Sequence, residues 1–231
     1  MKELKDIEKS IQKKYRKEIF SKFIKAVKEF NLIEENDKIA VCISGGKDSF
    51  LLAKCMQELV RHNKFNYEVK YIVMDPGYQK DKLEQIKANA KHLNIPIEIC
   101  ETNIFDIVKD TESPCFLCAR MRRGCLYSKA EELGCNKIAL GHHFNDVIET
   151  ILLNMIYNGK FSGMLPILNS DNYKNMQLIR PLYYIKEKDI ISWVKYTEMN
   201  FIDCACKVTK KNLGKRKEIK ALSYQLTDMY E

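Results

Sequence analysis

The chain has 231 residues, of which 45% are hydrophobic and 30% charged; 39 Lys and Arg stand against 31 Asp and Glu, for a formal charge of +8, and nine residues are cysteine. That length fits one α/β domain with small appendages, and the composition excludes a disordered or collagen-like chain. No apolar run approaches the ~20 residues that span a bilayer, and Met1 to Arg16 has no apolar signal core, so the expected location is cytoplasmic. In that compartment cysteines stay reduced, bind metal or do chemistry rather than build a disulfide framework.

The charge divides the chain into three parts. Residues 1–35 carry ten basic and seven acidic side chains, residues 204–231 seven and three, and residues 36–203 are left at +1. The expected organisation is an N-terminal basic helical segment (1–35), a catalytic domain (36–203), and a C-terminal element with cysteines and a basic helix (204–231). In the first part Ile7, Ile11, Tyr15, Ile19, Phe23, Val27 and Phe30 recur at helical steps, with Lys and Arg on the other face. That pattern reads as an amphipathic helix packed on the domain, with RNA backbone contact by the lysine face as the sharper alternative.

The run from Lys38 to Ile43 predicts a buried strand, followed by a glycine turn and a helix from Lys47 to Arg61. Further strands are predicted at Tyr67 to Met74, Ile97 to Cys100 and Lys137 to Leu140. Helices are predicted at Asp81 to His92, Phe144 to Tyr157, Glu187 to Met199 and, as a basic last element, Leu213 to Leu226. This alternation predicts an α/β fold with a parallel twisted sheet and helices on both faces. Ligands in such sheets bind at the carboxyl ends of the strands.

The strongest local signal is Ser44-Gly45-Gly46-Lys47-Asp48-Ser49, directly after the first strand. Two glycines permit a sharp turn, and their N–H groups with the next helix N-terminus make an anion site. Ser44 and Ser49 add hydroxyls, Lys47 a point charge, and Asp48 a ligand for magnesium on the same phosphates. The run matches neither the Walker A loop nor G-x-G-x-x-G. It resembles the PP-loop of the ATP pyrophosphatase superfamily, whose members adenylate a substrate oxygen and release pyrophosphate. Asp75-Pro76-Gly77-Tyr78 closes the second strand at the rim where that resemblance puts an adenosine. Gly141-His142-His143-Phe144-Asn145-Asp146-Val147-Ile148-Glu149-Thr150 resembles the superfamily's G-H-x-x-x-D-x-x-E-T element. From position alone Asp146 is a magnesium ligand or a first-turn helix acid, and the resemblance favours the ligand. His142 is expected to contact nucleotide or to serve structure. Neighbouring side chains diverge, so no zinc is expected at His142 and His143.

Cys115-Phe116-Leu117-Cys118 and Cys204-Ala205-Cys206 are the paired cysteines, and by spacing alone they suit zinc or an iron–sulfur cluster equally. Cys42, Cys55, Cys100, Cys125 and Cys135 read as small buried hydrophobes. The stretch from Cys115 through Arg120, Arg122, Arg123 and Gly124 to Leu126-Tyr127 resembles the C-x-x-C-x-R-x-R-R-G-x-L-Y run of the tRNA 2-thiocytidine synthetase (TtcA) family. Ile179-Arg180-Pro181-Leu182 agrees with it, and the likeness covers most of the chain.

The resemblance implies a 4Fe–4S cluster on Cys115, Cys118 and one late cysteine. Alignment from the preceding helix selects Cys204, while the C-x-C spacing, where the family shows C-x-x-C after proline, keeps Cys206 in play. It also implies ATP and Mg2+, tRNA as substrate, a sulfur donor such as sulfide or a cysteine desulfurase, no membrane partner, and a homodimer. Catalytic roles fall to Lys47, Asp48, Arg122 and Asp146. Nucleotide contacts fall to Ser44, Gly45, Gly46, Lys47, Asp48, Ser49, Asp75, Gly141 and His142. The rival readings are a cluster-free PP-loop enzyme such as tRNA lysidine synthetase, a 2-thiouridine synthetase, a small-molecule thiolating or desulfurating enzyme, and a zinc-stabilised RNA-binding ATPase.

Overall fold

Strand β1 (Lys38–Ile43) lies at the centre of the sheet and is buried on both sides. Its side chains alternate as a pleat requires: Ile39, Val41 and Ile43 join one core, while Ala40 and Cys42 join another on the opposite face. The computed structural model describes residues 1–62, 66–108, 111, 114–202 and 214–230; the side chains of 114–116 and 230 fall outside that description. Cys204, Cys206 and the predicted helix start at Leu213 also lie outside it.

Around β1 the strands β2 (Glu68–Asp75), β3 (Ile97–Glu101), β4 (Lys137–Ala139), β5 (Ile167–Asn169) and β6 (Gln177–Ile179) assemble in the order β3-β2-β1-β4-β6-β5. All neighbouring pairs are parallel except β5 with β6. The chain builds outward from β1 to β2 and β3, then returns to place β4 on the other side of β1. That reversal opens a crevice between the carboxyl ends of β1 and β4, where this class of sheet binds ligands.

The helices are α1 (Leu4–Lys9), α2 (Ser21–Glu29), α3 (Lys47–Arg61), α4 (Lys80–His92), α5 (Ile104–Val108), α6 (Pro114–Glu132), α7 (Phe144–Asn158), α8 (Glu187–Thr197) and α9 (Gly214–Tyr230). The larger core contains residues of α1 to α4 and α8, including the fully buried Phe23, Phe50 and Trp193. Tyr127 and Ala130 of α6 pack on the opposite face against Ala40, Cys42 and Ile72. Helix α9 packs on α7 over the carboxyl edge of the sheet. Four of these elements were not predicted: β5 and β6 have three residues each and α5 five, too few to show a period, and α6 mixes Cys, Arg and Gly without one apolar stripe.

The N-terminal segment departs from a single regular helix. From Ile7 to Val27 its buried apolar residues fall every four residues. At 3.6 residues per turn, each such step over-rotates by about 40°, so a straight α-helix would turn the stripe away from the core. Two π segments, Ser10–Lys14 and Arg16–Phe20, flank Tyr15 and correct this. The i→i+5 bond from the Tyr15 N–H to the Ser10 carbonyl (2.7 Å) marks the change of period. Ile7, Ile11, Ile19 and Phe23 are fully buried as a result, and the Tyr15 hydroxyl donates to the Ser192 carbonyl at 2.9 Å.

Candidate active site

The turn after β1 is shaped by its own side chains. Gly45 has φ +88°, and a Cβ there would stand 2.9 Å from Ile86, so both conformation and space require glycine. Ser49 Oγ accepts from the Ser44 N–H at 3.2 Å and donates to the Gly46 carbonyl at 2.8 Å. Gly46 caps α3 without a side-chain partner for the first-turn N–H groups, which leaves an electropositive helix end at the crevice. From behind, the Ile202 N–H donates to the Gly45 carbonyl at 3.1 Å, and the Tyr78 hydroxyl donates to the Ser44 carbonyl at 3.4 Å.

The loop after β4 forms the facing wall. A Cβ on Gly141 would come within 3.0 Å of the Asp48 carbonyl carbon, so only glycine lets this loop touch the start of α3. His143 is buried and caps α7 reciprocally with Asp146: the Asp146 N–H donates to Nδ1 at 3.4 Å, and Asp146 Oδ2 accepts from the His143 N–H at 3.0 Å. His143 Nε2 stands 3.9 Å from Asp48 Oδ1. The neighbouring His142 diverges from it, as expected, and lines a cavity of about 440 Å3.

That cavity is also lined by Ser44, Asp48, Ser49, Gly141 and Asp146 on the sheet edge, and by Ala119, Arg122, Arg123 and Leu126 from α6. Two of its polar atoms, Asp48 Oδ1 and His142 Nδ1, are buried without a hydrogen-bond partner among the described residues. Buried polar atoms are nearly always paired, which makes these two candidates for ligand contact. Burial pushes the Asp48 carboxyl up, with Lys47 and His143 opposing, and burial holds His142 down at about 4, with Asp146 opposing. His142 is therefore neutral at pH 7.

Lys47 Nζ lies 3.2 Å from Asp48 Oδ2 and 3.3 Å from Glu187 Oε1. Asp75, read from sequence as a nucleotide contact, is buried and outside the cavity lining. Its Oδ1 accepts from the Gly77 and Tyr78 N–H groups at 2.9 and 2.6 Å, which forms the turn carrying Tyr78 towards the loop.

Cys118 is buried on α6 with Met74, Ile104 and Val108, beside the cavity-lining Ala119 and one turn after Cys115. Three of the four candidate metal cysteines have side chains outside the described set, and among the described residues no group of three metal-binding side chains gathers. A thiolate set on this helix has the soft donors that suit an iron–sulfur cluster or zinc. Of the five cysteines read as core, Cys42, Cys55 and Cys135 are buried, whereas Cys100 and Cys125 are half-buried.

Sequence reading missed Glu187, Arg216, Lys220 and Tyr224 as site residues, and quoted Glu149 in its motif without giving it a role. The two acids are buried. Arg216 Nη2 lies 3.2 Å from Asp146 Oδ1, and its Nε 3.8 Å from Glu149. Lys220 Nζ reaches Glu187 Oε2 at 2.7 Å, and the Tyr224 hydroxyl donates to the same oxygen at 2.8 Å. The sequence reading left α9 outside the site as a basic last helix; its Arg216 and Lys220 pair with the site's acids. The missed signal was the i, i+4, i+8 spacing of Arg216, Lys220 and Tyr224, which puts all three on one helix face.

Residues 12–212 match the family model described as PP-loop domain. A tRNA-cytidine(32) 2-sulfurtransferase of Geobacter metallireducens is 38% identical over 93% of this chain and 84% of its own. The enzyme of the same name from Paraburkholderia xenovorans is 42% identical over 85% of this chain, which spans 59% of that relative's length. Among solved structures, the U34-tRNA thiolase NcsA of Methanococcus maripaludis, determined with its 4Fe–4S cluster, superposes with a TM-score of 0.76 at 26% identity, covering 94% of this chain and 74% of its own.

Proposed function

Since the chain belongs to the PP-loop family of tRNA-cytidine(32) 2-sulfurtransferases, we propose that it is an ATP-dependent tRNA sulfurtransferase that replaces the 2-oxygen of a cytidine in the anticodon loop with sulfur. The observation that carries this reading is the meeting, across one cavity, of the phosphate loop and Asp146 on one wall with Arg122 and the Cys118 helix on the other. A base in a loop is already unpaired, so its edge reaches such a site without melting a duplex.

The uncapped start of α3, Gly45, Gly46 and Lys47 bind the phosphates of ATP. Asp48 Oδ1 and Asp146 would hold Mg2+, whose charge offsets that of the departing pyrophosphate. Neutral His142 is available to contact the nucleotide. The base oxygen attacks the α-phosphorus, the bond to pyrophosphate breaks, and the base is left adenylated. Arg122 stabilises the charge that develops on the phosphoryl oxygens. A sulfur nucleophile at the sulfide level then adds to the activated carbon, and AMP leaves with the original oxygen, so no net redox change occurs. Cys115, Cys118 and Cys204 or Cys206 would hold a 4Fe–4S cluster, which would serve as carrier for that sulfur. Sulfide supplies it directly; persulfide sulfur from a cysteine desulfurase would first need two electrons from a thiol reductant to reach that level.

A homodimer is the expected assembly. Met155, Ile156, Phe161, Leu165 and Leu168 are exposed along the end of α7, the loop to β5 and β5 itself, and apolar surface of this kind supports association. The test of the enzymatic reading is to purify the protein without oxygen, measure its metal, and follow pyrophosphate release with and without tRNA. Iron, and pyrophosphate release that depends on tRNA, are expected. Zinc without iron contradicts the cluster, and release indifferent to RNA contradicts the substrate.

A further inference from the structure

Glu187 opens α8, and its buried carboxylate is shared among three donors. Lys47 approaches Oε1 at 3.3 Å, Lys220 Nζ lies 2.9 Å from Oε1 and 2.7 Å from Oε2, and the Tyr224 hydroxyl donates to Oε2 at 2.8 Å. The start of α8 is itself tied to the site, because the Glu187 N–H donates to Asn145 Oδ1 at 2.9 Å, one residue before Asp146. Lys220 is more exposed than Lys47 and reaches in from α9.

One negative charge thus faces two ammonium groups. If Lys47 and Glu187 stood alone, the phosphate lysine would be held one-to-one by a buried acid, and an arriving phosphate would have to break that pair. Breaking a buried pair leaves an uncompensated charge and is costly. With Lys220 bridging both oxygens of Glu187 and Tyr224 beside it, the acid keeps its compensation when Lys47 turns to a ligand. The structure therefore supplies a substitute cation at the position where the exchange needs one.

We propose that Lys220 is a positioning residue for the phosphate lysine: by satisfying Glu187 it releases Lys47 to the ATP phosphates. The proposal rests on the PP-loop reading of the site and extends it to α9, which the sequence reading left outside the site. Lys220 acts through Lys47 and Glu187 and does not itself touch the phosphates. This differs from a general gain of positive potential, which would not require Lys47.

The test is a double-mutant cycle read by calorimetric titration of the full chain with ATP and, separately, with inorganic pyrophosphate. Lys220→Met is expected to weaken both affinities about tenfold, within the range of coupling between contacting charges. In a Lys47→Met background the same change is expected to move pyrophosphate affinity less than about twofold. Lys220→Arg should keep the wild-type affinity, and Glu187→Gln should restore it to the Lys220→Met protein. Circular dichroism and thermal melting of each variant separate these effects from loss of fold. Equal weakening by Lys220→Met in the wild-type and Lys47→Met backgrounds, or no weakening by Lys220→Met at all, overturns the proposal. A wild-type protein that binds neither ligand overturns the PP-loop reading beneath it, so the two failures are distinguishable.

Discussion

Asp48 places one carboxylate oxygen 3.2 Å from Lys47 and leaves the other buried without a donor among the described residues. That is a poor arrangement for stability and a good one for holding a cation. Asp48→Asn keeps the shape and removes the charge. Pyrophosphate release is expected to fall by about 10²–10³, the loss typical when a group that stabilises transition-state charge is removed. The thermal midpoint should hold or rise, since burial opposes the charge that is lost. Glu187 is the opposite case. Burial pushes its carboxyl up, but hydrogen bonds from Lys220 and Tyr224 and the charge of Lys47 outweigh burial and hold it at about 2. A carboxyl lowered on folding contributes stability that is complete above its unfolded pKa of 4.5 and is lost as pH falls towards 2. The contribution is roughly 3 kcal/mol, so urea titrations from about pH 6 down to about pH 3 should show Glu187→Gln with a flatter acid limb than wild type. The phosphate loop and Asp146 were legible because local sequence fixes them. Glu187 was not, because its role depends on Lys220 and Tyr224, thirty residues and more along the chain and brought together only by packing.

At the level of elements, the strands and helices with enough length to show a period were readable: α3 runs from Lys47 to Arg61 as its pattern implies. Helix α6 was not readable as a helix, since its side chains serve the cavity, the core and the cysteine set at once. The N-terminal segment was read as a helix, but its strict four-residue spacing, which the π segments accommodate, was passed over. That segment is tied to α3 by Lys54, fully buried, with Nζ 2.8 Å from Glu8 Oε1 and from Gln57 and 3.1 Å from the Leu93 carbonyl. Lys54→Ala leaves a void and removes the cation beside Glu8, which Arg61 still partly compensates. The expected loss is about 3 kcal/mol, measured as a lower urea midpoint with little change in ATP affinity. Equal stability would mean that the segment is not held through this lysine.

Across the whole molecule, the basic ends have different destinations. The N-terminal segment packs its apolar stripe on α3 and α8 and leaves lysines such as Lys5, Lys9, Lys13 and Lys17 at its surface. The C-terminal helix sends Arg216 and Lys220 into the acidic rim of the nucleotide site. Net charge along the sequence revealed the two ends but not this division, because charge counts carry no direction. Ile202 lies on the phosphate loop, and α9 reaches Asp146 and Glu187.

The proposed activity of this site is the transfer of sulfur to an activated cytidine. The direct measurement is nucleoside mass spectrometry of tRNA incubated with anaerobically reconstituted protein, sulfide and ATP. The account predicts 2-thiocytidine, carrying sulfur in place of one oxygen, formed only with ATP and lost with Asp48→Asn. Unmodified cytidine alongside ATP cleavage to AMP and pyrophosphate, or thiolation that proceeds without ATP, would contradict it.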